Sequence, residues 1–198
     1  PLDLSEEHMN LAHAFDIPAC QGGNAPMATA YLARGGGPLR VLDAPYTGTV
    51  RKLPSGLVPK KYLKEALNFP NRVNATDNDT LKAAVVTYGA VYTTMRWSND
   101  AWNASTSSFF DPGPRSSANH AVLLVGWDDN YSATRFTKVP KGNGAFLVRN
   151  SWGPEFGDRG YFWISYHDAY VGRDNAAFVA FAAAKDYDKV YQHDTYGQ

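Results

Sequence analysis

One cysteine, Cys20, stands among 198 residues. An internal disulfide is therefore excluded, and with no second thiol or grouped histidines to join it, so is a zinc site. No apolar run approaches the 18 or so residues needed to cross a bilayer; the longest, such as Ala176 to Ala184, have the length of a strand. Nor is there an excess of charge of either sign: 19 basic and 19 acidic side chains cancel, so no global field draws in nucleic acid or anionic lipid. Charged residues amount to only 19%, against about 25% in an average domain. Polar surface must come largely from Asn, Ser, Thr and Gly. What is plentiful is apolar: 44% hydrophobic and 14% aromatic, enough for a real core and against disorder. The chain opens without Met and without a basic-then-apolar leader, so a signal peptide removed or lying upstream stays open.

The first third reads as helices broken by glycine. Ser5 can cap a helix that has Glu6 and Glu7 in its first turn. A second helix is predicted over Ala25 to Ala33, stopped by Arg34-Gly35-Gly36-Gly37-Pro38. A third covers the stretch from Thr76 to Tyr88: Thr76 and Asp79 have capping-box spacing, Leu81, Ala84, Val85 and Tyr88 share a face, and Gly89 terminates it. The proline-rich, basic stretch over residues 44–59 reads as extended and exposed. From Gly89 onward the period becomes that of strands, over residues 90–97, 120–127, 144–150, 161–166 and 176–183. The runs at 120–127 and 144–148 are apolar on both faces and belong in the middle of an antiparallel sheet. Helices first and strands later make the fold class α+β.

Chemistry is suggested by two of these strands. If residues 121–127 and 144–149 form a hairpin, a symmetric register sets Ala121 against Arg149 and His120 against Asn150. Cross-strand neighbours have Cβ atoms about 5 Å apart on one side of the sheet, so imidazole and carboxamide would hydrogen-bond; a bulge would shift the pairing by one residue. An Asn oxygen that accepts one ring N–H fixes the tautomer and leaves the other nitrogen to serve a nucleophile.

The stretches Asn119-His120-Ala121-Val122-Leu123-Leu124-Val125-Gly126-Trp127 and Val148-Arg149-Asn150-Ser151-Trp152-Gly153-Pro154, then Gly157-Asp158-Arg159-Gly160-Tyr161, resemble the His and Asn boxes of papain-like cysteine peptidases. Upstream, Leu4-Ser5-Glu6-Glu7 is similar to that family's Leu-Ser-Glu-Gln helix start and Cys20-Gln21-Gly22-Gly23 to its Cys-x-Gly-Gly segment. Gly89-Ala90-Val91 resembles its Gly-Pro-Val strand entry, with Ala90 in place of Pro. The resemblance implies a papain-like fold, with an antiparallel sheet or barrel half and an incomplete helical half. It implies His120 as general base, Asn150 as its orienter and Trp152 as a cover over their bond. Gly22 and Gly23 would receive an extended peptide, and Ala121 would line the pocket for the side chain two residues before the scissile bond. Phe156 stands where the family usually has a second Trp. No cofactor or metal is implied.

The nucleophile is the departure. The family carries a Cys followed by an aromatic residue at the start of a long helix, and nothing here matches it. Cys20 falls in the Cys-x-Gly-Gly segment, where the family's cysteine is structural. The chain is thus expected to be a fragment lacking the N-terminal nucleophile segment, inactive by itself, with that segment or a swapped chain as a partner alongside the peptide or protein substrate. A non-catalytic binding or scaffolding module is the alternative. The expected layout is a partial peptidase domain over 1–185, helical over about 1–43 and mixed or sheet-like over 44–185, then a linker over 186–198. The tail Tyr187-Asp188-Lys189-Val190-Tyr191-Gln192 is similar to bacterial or archaeal members that continue into a lectin-like domain, which implies an extracellular or cell-surface location. Among weaker signals, Asp77-Asn78-Asp79 lacks the glycine and distal glutamate of a calcium loop and reads as helix capping.

Overall fold

The computed structural model describes residues 3–49, 51–113 and 117–183. The expected linker over 186–198 lies outside them. Among the described residues three α-helices and eight strands follow one another in the order α1 (Glu6–Ala12), α2 (Ala25–Ala33), β1 (Lys61–Phe69), α3 (Asp79–Tyr88), β2 (Val91–Met95), β3 (Trp102–Asn103), β4 (Ser108–Phe109), β5 (His120–Asp128), β6 (Ala145–Arg149), β7 (Tyr161–Ser165) and β8 (Arg173–Ala183). The class is α+β, as expected. Two compact units divide the described residues: those up to Ala66 together with those from Phe178 on, and those of Leu67–Ala177.

In the first unit, the Ser5 hydroxyl caps α1 by accepting the His8 N–H at 3.0 Å. Asn24 does the same for α2 through the Met27 N–H at 2.9 Å. Both satisfy donors that a helix start otherwise leaves free. A small core joins Tyr31, Leu32 and Leu63. Strand β1 was not anticipated. Its charged stretch Lys64-Glu65 and its mixed burial hide the alternation that marks a half-buried strand. The described residues of the stretch 44–59 form neither helix nor strand, as its prolines dictate.

The second unit holds the larger core, in which α3 contributes Leu81, Ala84 and Val85 against Val91, Met95, Val122, Leu124, Phe146, Val148, Phe162 and Ile164. The strand order is β1-β8-β2-β5-β6-β7-β4-β3, so β5 and β6 are central. The pairs of β5 with β2 and β6, and of β6 with β7, are antiparallel. β4 is the exception and runs parallel to β7. The capping box expected at Thr76 does not form. Helix α3 begins at Asp79 without a side-chain cap, because Thr76 turns back and donates its N–H and its hydroxyl to Asn74 Oδ1 at 2.9 and 2.8 Å. That local turn competes directly with a capping role. At its other end Gly89, with φ of 90°, donates its N–H to Val85 O and stops the helix.

Candidate active site

His120 opens β5, half-buried, and its Nε2 lies 2.8 Å from Asn150 Oδ1. The acceptor is identified by a second bond: the Ser151 backbone N–H, which can only donate, reaches the same Oδ1 at 2.9 Å. Nε2 must then carry the hydrogen, and neutral His120 keeps a free lone pair on Nδ1. Asn150 is itself buried and held by its backbone N–H on Gly160 O at 2.8 Å. Its Nδ2 is buried with no partner among the described residues.

The hairpin that brings these residues together is not the symmetric one. Arg149 sits opposite Leu123 rather than Ala121, and Phe146 opposite Trp127. An irregularity between Leu124 and Gly126 inserts one residue into β5. The loop closes asymmetrically: Gly144 donates its N–H to Tyr131 O at 2.9 Å, and Asn143 Oδ1 accepts the Ala133 N–H at 3.0 Å. Continued outward, this register sets Asn150 across from Val122 with His120 as its diagonal neighbour on the same face. Diagonal Cβ pairs are about 7–8 Å apart, a span that an imidazole and a carboxamide bridge.

Around the pair stands an aromatic cluster. The Trp152 ring lies 4.7 Å from that of His120 between centroids. Trp152 is 45% exposed, so one face is presented to solvent and the other to the imidazole. Phe156 supports it edge-on at 4.8 Å, and Trp97 does so at 4.8 Å from another side. Trp102 stacks on Phe156 at 4.8 Å, and Phe109 on Trp97 at 5.0 Å. Burial lowers the pKa of His120 below the ordinary histidine value, and the weaker pull of Asn150 raises it only in part. The ring is therefore a neutral base near pH 7.

Two contributors escaped the sequence reading. Trp97 is one; it lies just beyond β2, and nothing in the spacing couples it to Trp152. Asn119 is the other, present in the quoted box but without a role. Its Oδ1 accepts the Trp97 N–H at 2.7 Å and its Nδ2 donates to Trp97 O at 3.1 Å. The neighbour of His120 is thereby pinned to the cluster that carries Trp152.

Ala121 pairs with Thr94 across β5 and β2, and the Thr94 hydroxyl donates to Asp174 Oδ2 at 2.9 Å. Gly22 and Gly23 belong to the first unit. A Cβ built on either meets nothing within 4 Å, and φ of 91° at Gly22 suits glycine. Cys20, also in that unit, is exposed, and its Sγ accepts from Asn10 Nδ2 at 3.3 Å. No group of three metal-ligating side chains occurs among the described residues, and no helix among them is long and apolar enough to cross a membrane.

Comparison with known proteins gives a family context. The model of the papain family of cysteine proteases matches residues 2–181. Mouse cathepsin J is 31% identical over 151 residues, 74% of this chain and 41% of that protein. Mouse procathepsin L is 30% identical over 189 residues, 92% of this chain and 51% of the relative. The cysteine protease and lectin-like domains of Cwp84, a surface layer associated protein of Clostridium difficile, superpose with a TM-score of 0.80 at 30% identity, covering 92% of this chain and 42% of the other. The chain thus spans about half the length of the relatives it matches.

Proposed function

Because the chain belongs to the papain family of cysteine proteases, we propose that His120 and Asn150 are the base and its orienter in a Cys-His-Asn site for peptide hydrolysis. The observation that carries this reading is the 2.8 Å bond from Nε2 to Asn150 Oδ1, with the oxygen identified by Ser151. It leaves Nδ1 as the free base. In the complete protein Nδ1 takes the proton of a cysteine thiol, giving a thiolate and an imidazolium. The thiolate attacks the peptide carbonyl carbon, the imidazolium returns the proton to the leaving amine, and water, deprotonated by the same nitrogen, releases the acid from the thioester. Trp152 shields the bond between His120 and Asn150, which strengthens it in a lower dielectric.

The thiol is not that of Cys20 in this reading, since Cys20 occupies the family's structural position in Cys-x-Gly-Gly. Gly22 and Gly23 offer a peptide backbone unobstructed approach, and Ala121 lines a side-chain pocket. Residues 1–185 act as part of the peptidase domain and 186–198 as a linker, with a lectin-like domain following as in Cwp84. The location is extracellular or at the cell surface.

A second reading is a family member that binds peptide without cleaving it. A thiol-directed affinity label on the full-length protein separates the two. The peptidase reading expects one labelled cysteine outside the Cys20 peptide, with labelling slowed by His120→Ala. Absence of labelling supports the binding module. Labelling that is unchanged by His120→Ala removes His120 from its role.

A further inference from the structure

The second unit contains a cavity of about 460 Å³ whose walls include neither His120 nor Asn150. Arg72 contributes to it while being 8% exposed. Its guanidinium donates from Nε to Asp77 O at 3.1 Å, from Nη1 to Val171 O at 3.2 Å and from Nη2 to Tyr166 O at 2.9 Å. A guanidinium has five N–H donors, so two remain. Burial lowers the pKa of Arg72 to about 10, and the charge persists at neutral pH. Lys141 and Arg173 line the same cavity, Arg173 with its guanidinium 4.6 Å over the Tyr170 ring.

A buried cation calls for a counter-charge; Asp168, itself in the cavity wall, and Asp77 act on Arg72 only through space, because their oxygens are taken up by backbone N–H groups. Asp168 accepts the backbone N–H groups of Tyr170 and Val171 at 2.9 Å each and of Asp111 at 3.0 Å. Asp77 accepts the Val73 N–H at 2.9 Å, and Asp111 the Gly113 N–H at 2.8 Å. Among the described residues no carboxylate oxygen comes within 4.0 Å of a charged nitrogen of Arg72, Lys141 or Arg173. Phe110 and Val171 supply apolar wall. The field is felt by His167, also in the wall: burial first, then the charges of Arg72 and Lys141, hold its pKa below the ordinary value. Its ring stays neutral, able to donate a hydrogen bond without carrying a further charge.

We propose that this cavity binds a small oxyanion, a carboxylate or phosphate on a compact apolar body, through Arg72, Lys141 and Arg173. The cations supply the charge-assisted donors that such a head group accepts, and Phe110 and Val171 receive the body. The volume suits a ligand of one ring, at the lower end of small-molecule sites.

Calorimetric titration of the 198-residue chain with phenyl phosphate, benzoate and inorganic phosphate tests this. Phenyl phosphate or benzoate should saturate in the millimolar range or tighter, ahead of inorganic phosphate because of the apolar wall; which of the two binds better identifies the head group. Lys141→Ala and Arg173→Gln should each weaken binding by about tenfold, the scale of one charge-assisted hydrogen bond. Lys138→Ala removes the same charge from an exposed position outside the cavity and should leave it unchanged. Thermal unfolding of each variant confirms that it is folded. No saturable binding by the parent chain overturns the proposal, as do variants at Lys141 and Arg173 that bind like the parent, or a Lys138 variant that weakens as much as they do. No residue of the peptidase site takes part, so the two readings fail separately.

Discussion

Asn119 and Trp97 clasp each other across two hydrogen bonds, the Asn side chain accepting the Trp N–H at 2.7 Å and donating to the Trp carbonyl at 3.1 Å. The link ties the residue before His120 to the ring that braces Trp152, so the entry of β5 and its aromatic cover are fixed together. Asn119→Ala removes both bonds. With each partly exposed bond worth about 0.5–1.5 kcal/mol, the unfolding free energy in urea should drop by about 1–2 kcal/mol. Tryptophan fluorescence should shift in the folded state; an unshifted spectrum and unchanged stability would deny the clasp its importance.

Asn150→Asp preserves the shape of the orienter and places a negative charge against Nε2–H. An opposite charge at this distance favours the imidazolium, so the His120 pKa should rise by about one to three pH units. NMR titration of the ring reads this directly. An unchanged titration would mean that the 2.8 Å contact is not maintained in solution.

Trp152→Ala tests the cover. Burial is the leading cause of the lowered His120 pKa, and the Trp152 ring lies 4.7 Å away. Opening that face to water should move the pKa up, toward about 6.5. A downward movement would show that Trp152 does not shield the ring.

Acid should weaken the fold through its histidines. His8, His120 and His167 all have pKa values lowered by burial. Their folded values lie below the unfolded one, so their contribution to stability is complete above about pH 6.5 and is lost as the pH falls through the folded values. Asp168 has the opposite sign: burial raises it to about 6, so its contribution is full below the ordinary carboxylate range and is lost as the pH rises through about 6. It offsets part of the histidine loss. His8 is buried with Nδ1 2.6 Å from the Tyr31 hydroxyl. His8→Gln should therefore flatten the fall in denaturant midpoint between about pH 7 and about pH 5. An identical slope in parent and variant would exclude His8 as a source.

Gly157→Ala addresses the loop behind Asn150. The residue has φ of 61°, and an added Cβ would stand 2.4 Å from Tyr161 O. The left-handed backbone alone costs about 1–2 kcal/mol in a non-glycine residue, and the contact with a carbonyl adds to it. Loss of about 2 kcal/mol or more is expected in urea unfolding, whereas Gly22→Ala, with open space around it, should carry only the backbone cost. Equal losses at the two positions would contradict the crowding at Gly157.

Local features were legible in the sequence. Ser5 sits where a cap was expected, α2 runs from Ala25 to Ala33 and Gly89 ends α3, because capping and termination depend on residues within one or two turns of each other. The central strands could be read because runs apolar on both faces require cover on both sides. The His and Asn boxes were visible as words, and their side chains meet in the structure. Thr76 misled because Asn74, two residues back, offered a competing acceptor. β1 was missed because Lys64 and Glu65 break the alternation of its apolar residues.

The sequence by itself determined that the chain is α+β, that β5 and β6 lie at the middle of its sheet, and that an imidazole and a carboxamide stand at adjoining strand ends. Periodicity and composition carry that information along the chain. Only the tertiary structure decided that a bulge in β5 makes His120 a diagonal partner of Asn150, that Trp97 braces Trp152, and that Arg72, Lys141 and Arg173 converge on one cavity. Those outcomes depend on how an irregular loop closes and on which distant side chains pack together, and no local pattern encodes a contact between residues dozens of positions apart.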